Sequence, residues 1–127
     1  MNSKFNKGPA NLVATAGFKS GRITVWDIVQ CKDVAKFDHS KLDPTFEGLE
    51  IEWQNSVCMA VAGISKNIYL WSIEQPESPK QIWSWHKDHV KQITWDSNGT
   101  MLASCSNDNT VCIWKPGNSQ CETLKDD

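Results

Sequence analysis

The sequence predicts an all-β chain in which one antiparallel unit of four strands recurs. Three observations carry this. Seven tryptophans in 127 residues recur at near-constant spacing. Short apolar runs alternate with period two, as half-buried strands require. No window carries the 3.6-residue period of an amphipathic helix.

The repeat is visible in two series. RITVWDI (22–28), NIYLWSI (67–73) and TVCIWKP (110–116) share one template, and their Trp26, Trp71 and Trp114 lie 45 and 43 residues apart. LEIEWQ (49–54) and QITWDS (92–97) carry Trp53 and Trp95, 42 residues apart. In each member of the first series, β-branched or leucine side chains (Ile23 and Val25, Ile68 and Leu70, Val111 and Ile113) alternate with the residues between them. Both sets are largely apolar, as expected of strands covered on both sides. A period of about 40–45 residues made of short strands is the signature of propeller blades.

The third unit, 86–125, is the fullest. Its strands are expected at Val90–Trp95, Met101–Ser106, Val111–Trp114 and Cys121–Leu124. A bulge is expected in the first, because Val90 and Ile93 stand three apart. Asp96-Ser97-Asn98-Gly99 and Asn107-Asp108-Asn109 supply the turns. The second unit, 46–85, reads as strands at 49–53, 57–63, 67–73 and 80–85. The first, 11–38, shows only three strands, at 11–16, 22–28 and 33–37, so the chain is expected to open inside a blade after a poorly ordered lead of residues 1–10. The sum is a partial, unclosed arc of about two and a half to three four-stranded blades.

Composition narrows the function. The net charge is −2 and the 13 Lys and Arg are scattered. No basic stripe announces direct nucleic-acid binding. The longest apolar run, Val57 to Ile64, is far short of the roughly 18 residues a membrane helix needs, and the N-terminus lacks a signal-peptide core. Five cysteines (Cys31, Cys58, Cys105, Cys112, Cys121) without CxxC spacing predict small reduced thiols in strands, with Cys105 and Cys112 able to face each other across a hairpin. No cofactor loop and no metal-ligand cluster is seen. Glu50 and Glu52 alternate out of a strand and are expected in solvent.

The run V-x-x-I-x-W-D-x-x-G-x-x-L-A-S-C-S-x-D-x-T-x-x-I-W (Val90–Trp114) resembles a WD repeat throughout. With Ala16-Gly17, Trp26-Asp27, Phe37 to Ser40 and LEIEWQNS at 49–56 in the same register, residues 11–125 resemble the transducin-β-like (F-box-like/WD repeat) subunits of nuclear-receptor corepressor complexes. Trp26, Asp27, Trp53, Trp71 and Trp95 are the repeat-defining residues. That family's N-terminal helical dimerisation segment and F-box-like segment have no counterpart among these residues. Trp85 stands where a Gly usually precedes the repeat's His, and units one and two lack the turn Asp.

The resemblance implies a structural tetrad of His86, Ser104, Asp108 and Trp114, with Asp108 orienting His86, His86 bonded to Ser104 and the Trp114 indole closing the chain. It also implies a non-catalytic protein-binding scaffold in a transcriptional corepressor, nuclear, with corepressor or histone-deacetylase subunits as partners. A substrate-recognition segment of a ubiquitin ligase is the alternative. A Ser-His-Asp hydrolase is disfavoured, because G-x-S-x-G is absent and Ser104 sits mid-strand in an apolar run. Unit two has Val61, Ser65 and Trp71 at the tetrad positions and no His in register: His39 lies 14 residues before Trp53, against nine between His86 and Trp95. An insertion at 41–45 separates them, so unit two is expected to be less rigid. Partners of such repeats meet the loops that join the last strand of one unit to the first of the next and the second strand of a unit to its third, which points to Phe18 and Ile64 as apolar anchors with Lys87, His89 and Asn107 around them. Trp83 and Trp85 are expected either to pack on the next blade or to offer an outer-edge anchor. Open blade faces predict self-association.

Overall fold

The computed structural model describes residues 2–5, 11–16 and 21–125. They form three antiparallel sheets of four strands, each a meander in chain order. The first holds β1 (Asn2–Phe5), β2 (Leu12–Ala16), β3 (Arg22–Asp27) and β4 (Lys32–Asp38). The second holds β5 (Gly48–Trp53), β6 (Cys58–Gly63), β7 (Asn67–Ser72) and β8 (Gln81–Ser84). The third holds β9 (Val90–Trp95), β10 (Leu102–Ser106), β11 (Thr110–Trp114) and β12 (Cys121–Lys125).

The first sheet departs from expectation. Residues 2–5, read as a lead, pair with β2 from Asn2↔Ala16 to Phe5↔Val13, so the blade has its innermost strand. NSKF holds one apolar residue and no alternation, so side-chain pattern could not reveal a strand that backbone pairing makes. The bulge in β9 is present: Gln92 faces Cys105 and Val90 faces Ser106, leaving Lys91 extra. The same irregularity recurs in β5, where Glu50 faces Ala62 and Gly48 faces Gly63.

Register makes the blades superimposable. Ser104 faces Cys112, Val61 faces Tyr69 and Thr15 faces Thr24; two residues beyond the second member of each pair stands Trp114, Trp71 or Trp26. The core lies between sheets. Ala14, Ala16, Ile23, Val25 and Phe37 pack on Ile51, Trp53, Met59, Val61, Tyr69 and Trp71. Ala60, Ala62, Ile68, Leu70 and Trp83 pack on Val90, Ile93, Trp95, Leu102, Cys112 and Trp114. Sheet two is covered on both faces, and all six residues of β6 are buried. Small alanines on one sheet leave room for indoles of the next, and aromatic pairs stack offset across each interface: Phe37 with Trp71 at 4.7 Å and Trp83 with Trp114 at 5.1 Å.

The Trp53/Trp95 series explains its own period. Trp53 Nε1 donates to the Lys4 carbonyl (3.0 Å) and Trp95 Nε1 to the Glu52 carbonyl (3.1 Å), one blade earlier in each case. The Asp that follows an indole in the sequence caps a turn: Asp27 accepts the Val29 and Gln30 amides, and Asp96 those of Thr100 and Met101. Gly99, at φ +68°, ends the β9–β10 turn against Gln54, whose carbonyl lies where a Cβ would come within 2.7 Å. Only glycine fits there.

The cysteines are free, but they are not uniformly buried: Cys31 is exposed in the β3–β4 turn. Cys105 faces Val111, so it does not oppose Cys112. Burial pushes the Cys112 thiol up to about 12, with Cys121 beside it adding to the shift. Glu50 and Glu52 are half-buried, contrary to expectation; burial and the neighbouring Glu52 charge raise the Glu50 pKa. Lys4 Nζ sits 3.6 Å from Glu52. No helix among the described residues is long and apolar enough to cross a membrane.

Candidate protein-docking face

The β10–β11 turn and the loop leading into β9 are joined by a closed polar network. Asn109 takes a left-handed φ of 67°, which asparagine tolerates, and so ends the turn. The Asp108 carboxylate accepts the Thr110 amide (2.9 Å), the Lys87 amide (2.8 Å) and the Thr110 hydroxyl. Ser106 Oγ donates to the Asp88 carbonyl (3.1 Å), and the Asn107 amide to that of His89 (3.0 Å). Behind this seam, His86 Nδ1 lies 3.2 Å from Thr110 Oγ1 and 3.4 Å from Asp108 Oδ2. His86 Nε2 lies 2.7 Å from Ser104 Oγ, which accepts the Trp114 indole N–H at 2.9 Å.

Donor bookkeeping fixes the imidazole. A carboxylate only accepts, so Nδ1 carries the hydrogen and Nε2 accepts the Ser104 hydroxyl. Burial lowers the His86 pKa against the opposing pull of Asp108, and keeps the ring neutral. Burial works to raise the Asp108 pKa, but the Thr110 hydroxyl, the Lys87 and Thr110 amides and the adjacent His86 outweigh it and hold the carboxyl at about 2. Thr110 is a member that sequence reasoning missed. Its signal was the D-x-T spacing, which lets a hydroxyl two residues on reach back to the carboxylate. Ser104 is 1% exposed and its oxygen already accepts an indole N–H.

Blade two corrects the expectation that it lacks a histidine in register. His39 is fully buried, and its Nε2 accepts the Trp71 indole N–H directly at 2.9 Å. Its Nδ1 lies 2.7 Å from the Gly21 carbonyl and donates to it. The ring stacks on Phe46 at 4.2 Å and meets Tyr69 edge-on at 4.9 Å. The inserted residues loop outward: the Leu42 and Asp43 amides return to the His39 carbonyl (3.0 and 2.8 Å), so the insertion leaves the ring in place. Counting back from Trp53 could not show this, because an insertion after the histidine lengthens the count without moving the side chain. Burial lowers the His39 pKa, opposed by the Gly21 carbonyl and the Asp38 and Asp43 charges. Ser65 stands where blade three has Asp108, and its hydroxyl donates to Asp43 Oδ2 at 2.9 Å.

The proposed docking residues separate into two groups. Ile64, half-buried, and His89, exposed, line one cleft of about 270 Å³ with Asp43, Thr45, Ser65, Lys66 and Asn67. The Val90 amide bonds the Ser65 carbonyl at 3.1 Å beneath it, tying blade three to blade two. Lys87 and Asn107 are exposed on the blade-three seam beside this cleft's His89. Phe18 lies outside the described residues. The two tryptophans divide as well. Trp83 is buried against Trp114 and donates to the Asn118 carbonyl (3.0 Å), whereas Trp85 is 41% exposed and edge-on to His86. Among the described residues no group of three His, Cys, Asp or Glu is placed to hold a metal.

Residues 77–115 match the family described as WD domain, G-beta repeat. The chain is 32% identical over 83 residues, 57% of its length, to a probable cytosolic iron-sulfur protein assembly protein 1 of Scheffersomyces stipitis, of which it covers 23%. It is 36% identical over 66 residues, 52% of its length, to the WD40 repeat-containing protein HOS15 of Arabidopsis thaliana, of which it covers 11%. The chain thus spans less than a quarter of either relative. A chain of the mitotic checkpoint complex crystal structure superimposes with a TM-score of 0.82 over 96% of this chain and 36% of that one, at 19% identity, a likeness of fold. Strand order, register and interblade stacking together with the matched segment give one assignment: residues 77–115 are similar to a WD40 repeat, and the described residues fold as a partial, unclosed β-propeller.

Proposed function

We propose that the chain is a non-catalytic protein-interaction scaffold whose docking face is the loop surface over blades two and three. The observation that carries this is the cleft in which Ile64 and His89 meet beside a rigid hydrogen-bonded seam. A fixed concave surface with one apolar contact and a polar rim suits an extended peptide. The buried, fully satisfied network of His86, Ser104, Asp108 and Trp114 serves this face as a structural tetrad: it holds the loops in one register. The finer reading, a nuclear corepressor subunit that engages a histone-deacetylase complex, rests on the resemblance of Val90–Trp114 to the transducin-β-like subunits.

The test is affinity purification of the tagged full-length protein from nuclear extract, read by quantitative mass spectrometry. Histone-deacetylase subunits are expected to be enriched, and Ile64→Ala is expected to weaken their capture about 5- to 30-fold, the effect of losing an anchor worth ~1–2 kcal/mol. Lys87→Ala is expected to act mainly through salt dependence. Enrichment of cullin subunits instead would replace the corepressor reading with the ubiquitin-ligase one. Loss of capture on Trp85→Ala but not Ile64→Ala would move the docking site to the outer edge.

A further inference from the structure

The cleft that holds Ile64 and His89 stands over the middle of the chain. Residues 64–66 join β6 to β7 of sheet two, which is covered on both faces by its neighbours. The polar groups of the cleft divide into those spent on the chain itself and those left over. Ser65 Oγ donates to Asp43 Oδ2 (2.9 Å) and accepts the Asn67 amide (3.1 Å). Asp43 Oδ1 accepts the Thr45 amide (3.2 Å) and hydroxyl (2.9 Å). Burial works to raise the Asp43 pKa, but the Ser65 and Thr45 donors outweigh it, so the carboxylate is ionised and already supplied with donors. The Asn67 side-chain carbonyl accepts the Ser84 hydroxyl (2.8 Å), and its amide gives one hydrogen to Tyr69 Oη (3.3 Å).

What is left over is chiefly donor. Lys66 and His89 are exposed, and no ion pair or hydrogen bond within the described residues engages the Lys66 ammonium or the His89 ring. An ammonium brings three N–H donors and a neutral imidazole one, and Asn67 keeps its second amide hydrogen. Lys87, exposed on the adjoining seam, also has no carboxylate partner among the described residues. The seam's own carboxylates are spent: Asp88 Oδ1 accepts the His89 amide at 2.7 Å, and Asp108 accepts the Lys87 and Thr110 amides. A ligand that satisfies this cleft must therefore bring acceptors for Lys66, His89 and Asn67 and an apolar group for Ile64.

We propose that the occupant is an acidic peptide segment, with an apolar side chain on Ile64 and an Asp or Glu carboxylate beside it that takes the donors of Lys66 and His89. This rests on the docking reading above and adds the chemistry of the partner. A carboxylate fits better than a phosphate. Phosphate recognition favours guanidinium forks, and the one arginine of the sequence, Arg22, lies instead beside Asp38 at 3.7 Å. Asp43 in the wall of the cleft also repels a phosphate dianion more strongly than a singly charged carboxylate.

Panning a phage-displayed library of random peptides on the immobilised full-length protein tests this, with Ile64→Ala as the background. Peptides whose capture needs Ile64 should be enriched in Asp and Glu next to Leu, Ile or Met, relative to the unselected library. Fluorescence anisotropy with the selected consensus peptide then reads the charge. Replacing the peptide's acidic residue by its amide, or Lys66→Ala in the protein, should each weaken binding about 2- to 5-fold. The two changes together should cost less than their product, because they remove one contact. Lys66 is exposed, so its substitution spares the fold. Peptides that need Ile64 but show no acidic enrichment, or equal affinity for the acidic and amide peptides, overturn the acidic occupant and leave the docking face standing. Tighter binding of a phosphoserine peptide overturns the choice of carboxylate. A library that yields no peptide dependent on Ile64 overturns both the occupant and the docking face.

Discussion

Blades two and three solve the same problem with different chemistry. Each must fix the indole N–H of its third-strand Trp and anchor the loop that enters its first strand. Blade three does so in four steps, from Trp114 through Ser104 and His86 to Asp108 and Thr110. Blade two has Val61 where Ser104 would stand, and its imidazole takes the Trp71 N–H directly. Dropping the serine costs versatility. Ser104 Oγ can accept from the indole while its hydrogen points either way, so His86 Nε2 can bear a proton without facing another donor. His39 Nε2 cannot, because Trp71 already donates to it. The lesson is that the two blades share a geometry, an imidazole behind the third-strand indole, and not one set of residues.

The harshest way to break the comparison is His39→Ala. It removes a fully buried ring stacked on Phe46 and strands the Trp71 N–H, and is expected to cost ~3–4 kcal/mol in chemical denaturation. A cost under about 1 kcal/mol would mean that blade two does not depend on this ring.

Ser104→Ala comes next. It leaves the Trp114 N–H and His86 Nε2 unpaired with little change of volume, at an expected ~1–3 kcal/mol. Thermal melts of both variants in the same buffer would rank the two blades. A larger loss for Ser104→Ala than for His39→Ala would reverse that order.

How much of this was readable in the sequence follows from the same contrast. The strands whose apolar residues alternate, β2, β3 and β5 to β11, stand within a residue or two of their expected places, because side-chain burial positions them and leaves its period behind. β1 had no such pattern, since a backbone ladder holds it. Four residues of the blade-three network, His86, Ser104, Asp108 and Trp114, were named because each matches the repeat at its usual spacing; Thr110 was not. The His39 contact was missed because spacing along the chain is a poor guide once an insertion intervenes; the stronger signal was a histidine two residues after the buried Phe37, at the end of an outer strand. Trp83 and Trp85 share a strand parity, and only the strand's end at Ser84 distinguishes the buried one from the exposed one.

A smaller effect separates the blades by pH. Both histidines have folded pKa values below the ordinary 6.5, chiefly through burial. Above 6.5 both states are neutral and the full stability is present. As pH falls below 6.5 the unfolded chain takes up protons first, and stability declines until the folded pKa values are passed. The decline should be shallower in His39→Ala than in wild type, as measured by denaturant midpoints between pH 7.5 and 5. Equal slopes would show that His39 is not the group resisting the proton.

The most direct measurement is the tautomer of the two rings. Long-range ¹H–¹⁵N correlation spectra of ¹⁵N-labelled protein at pH 7.5 should show His39 and His86 neutral, each with a protonated Nδ1 and a bare, accepting Nε2. On acidification the His39 Nε2 should hold out longer than that of His86. A His39 ring protonated at Nε2, whether as the other neutral tautomer or as imidazolium, could not accept the Trp71 N–H and would contradict the account of how blade two is locked.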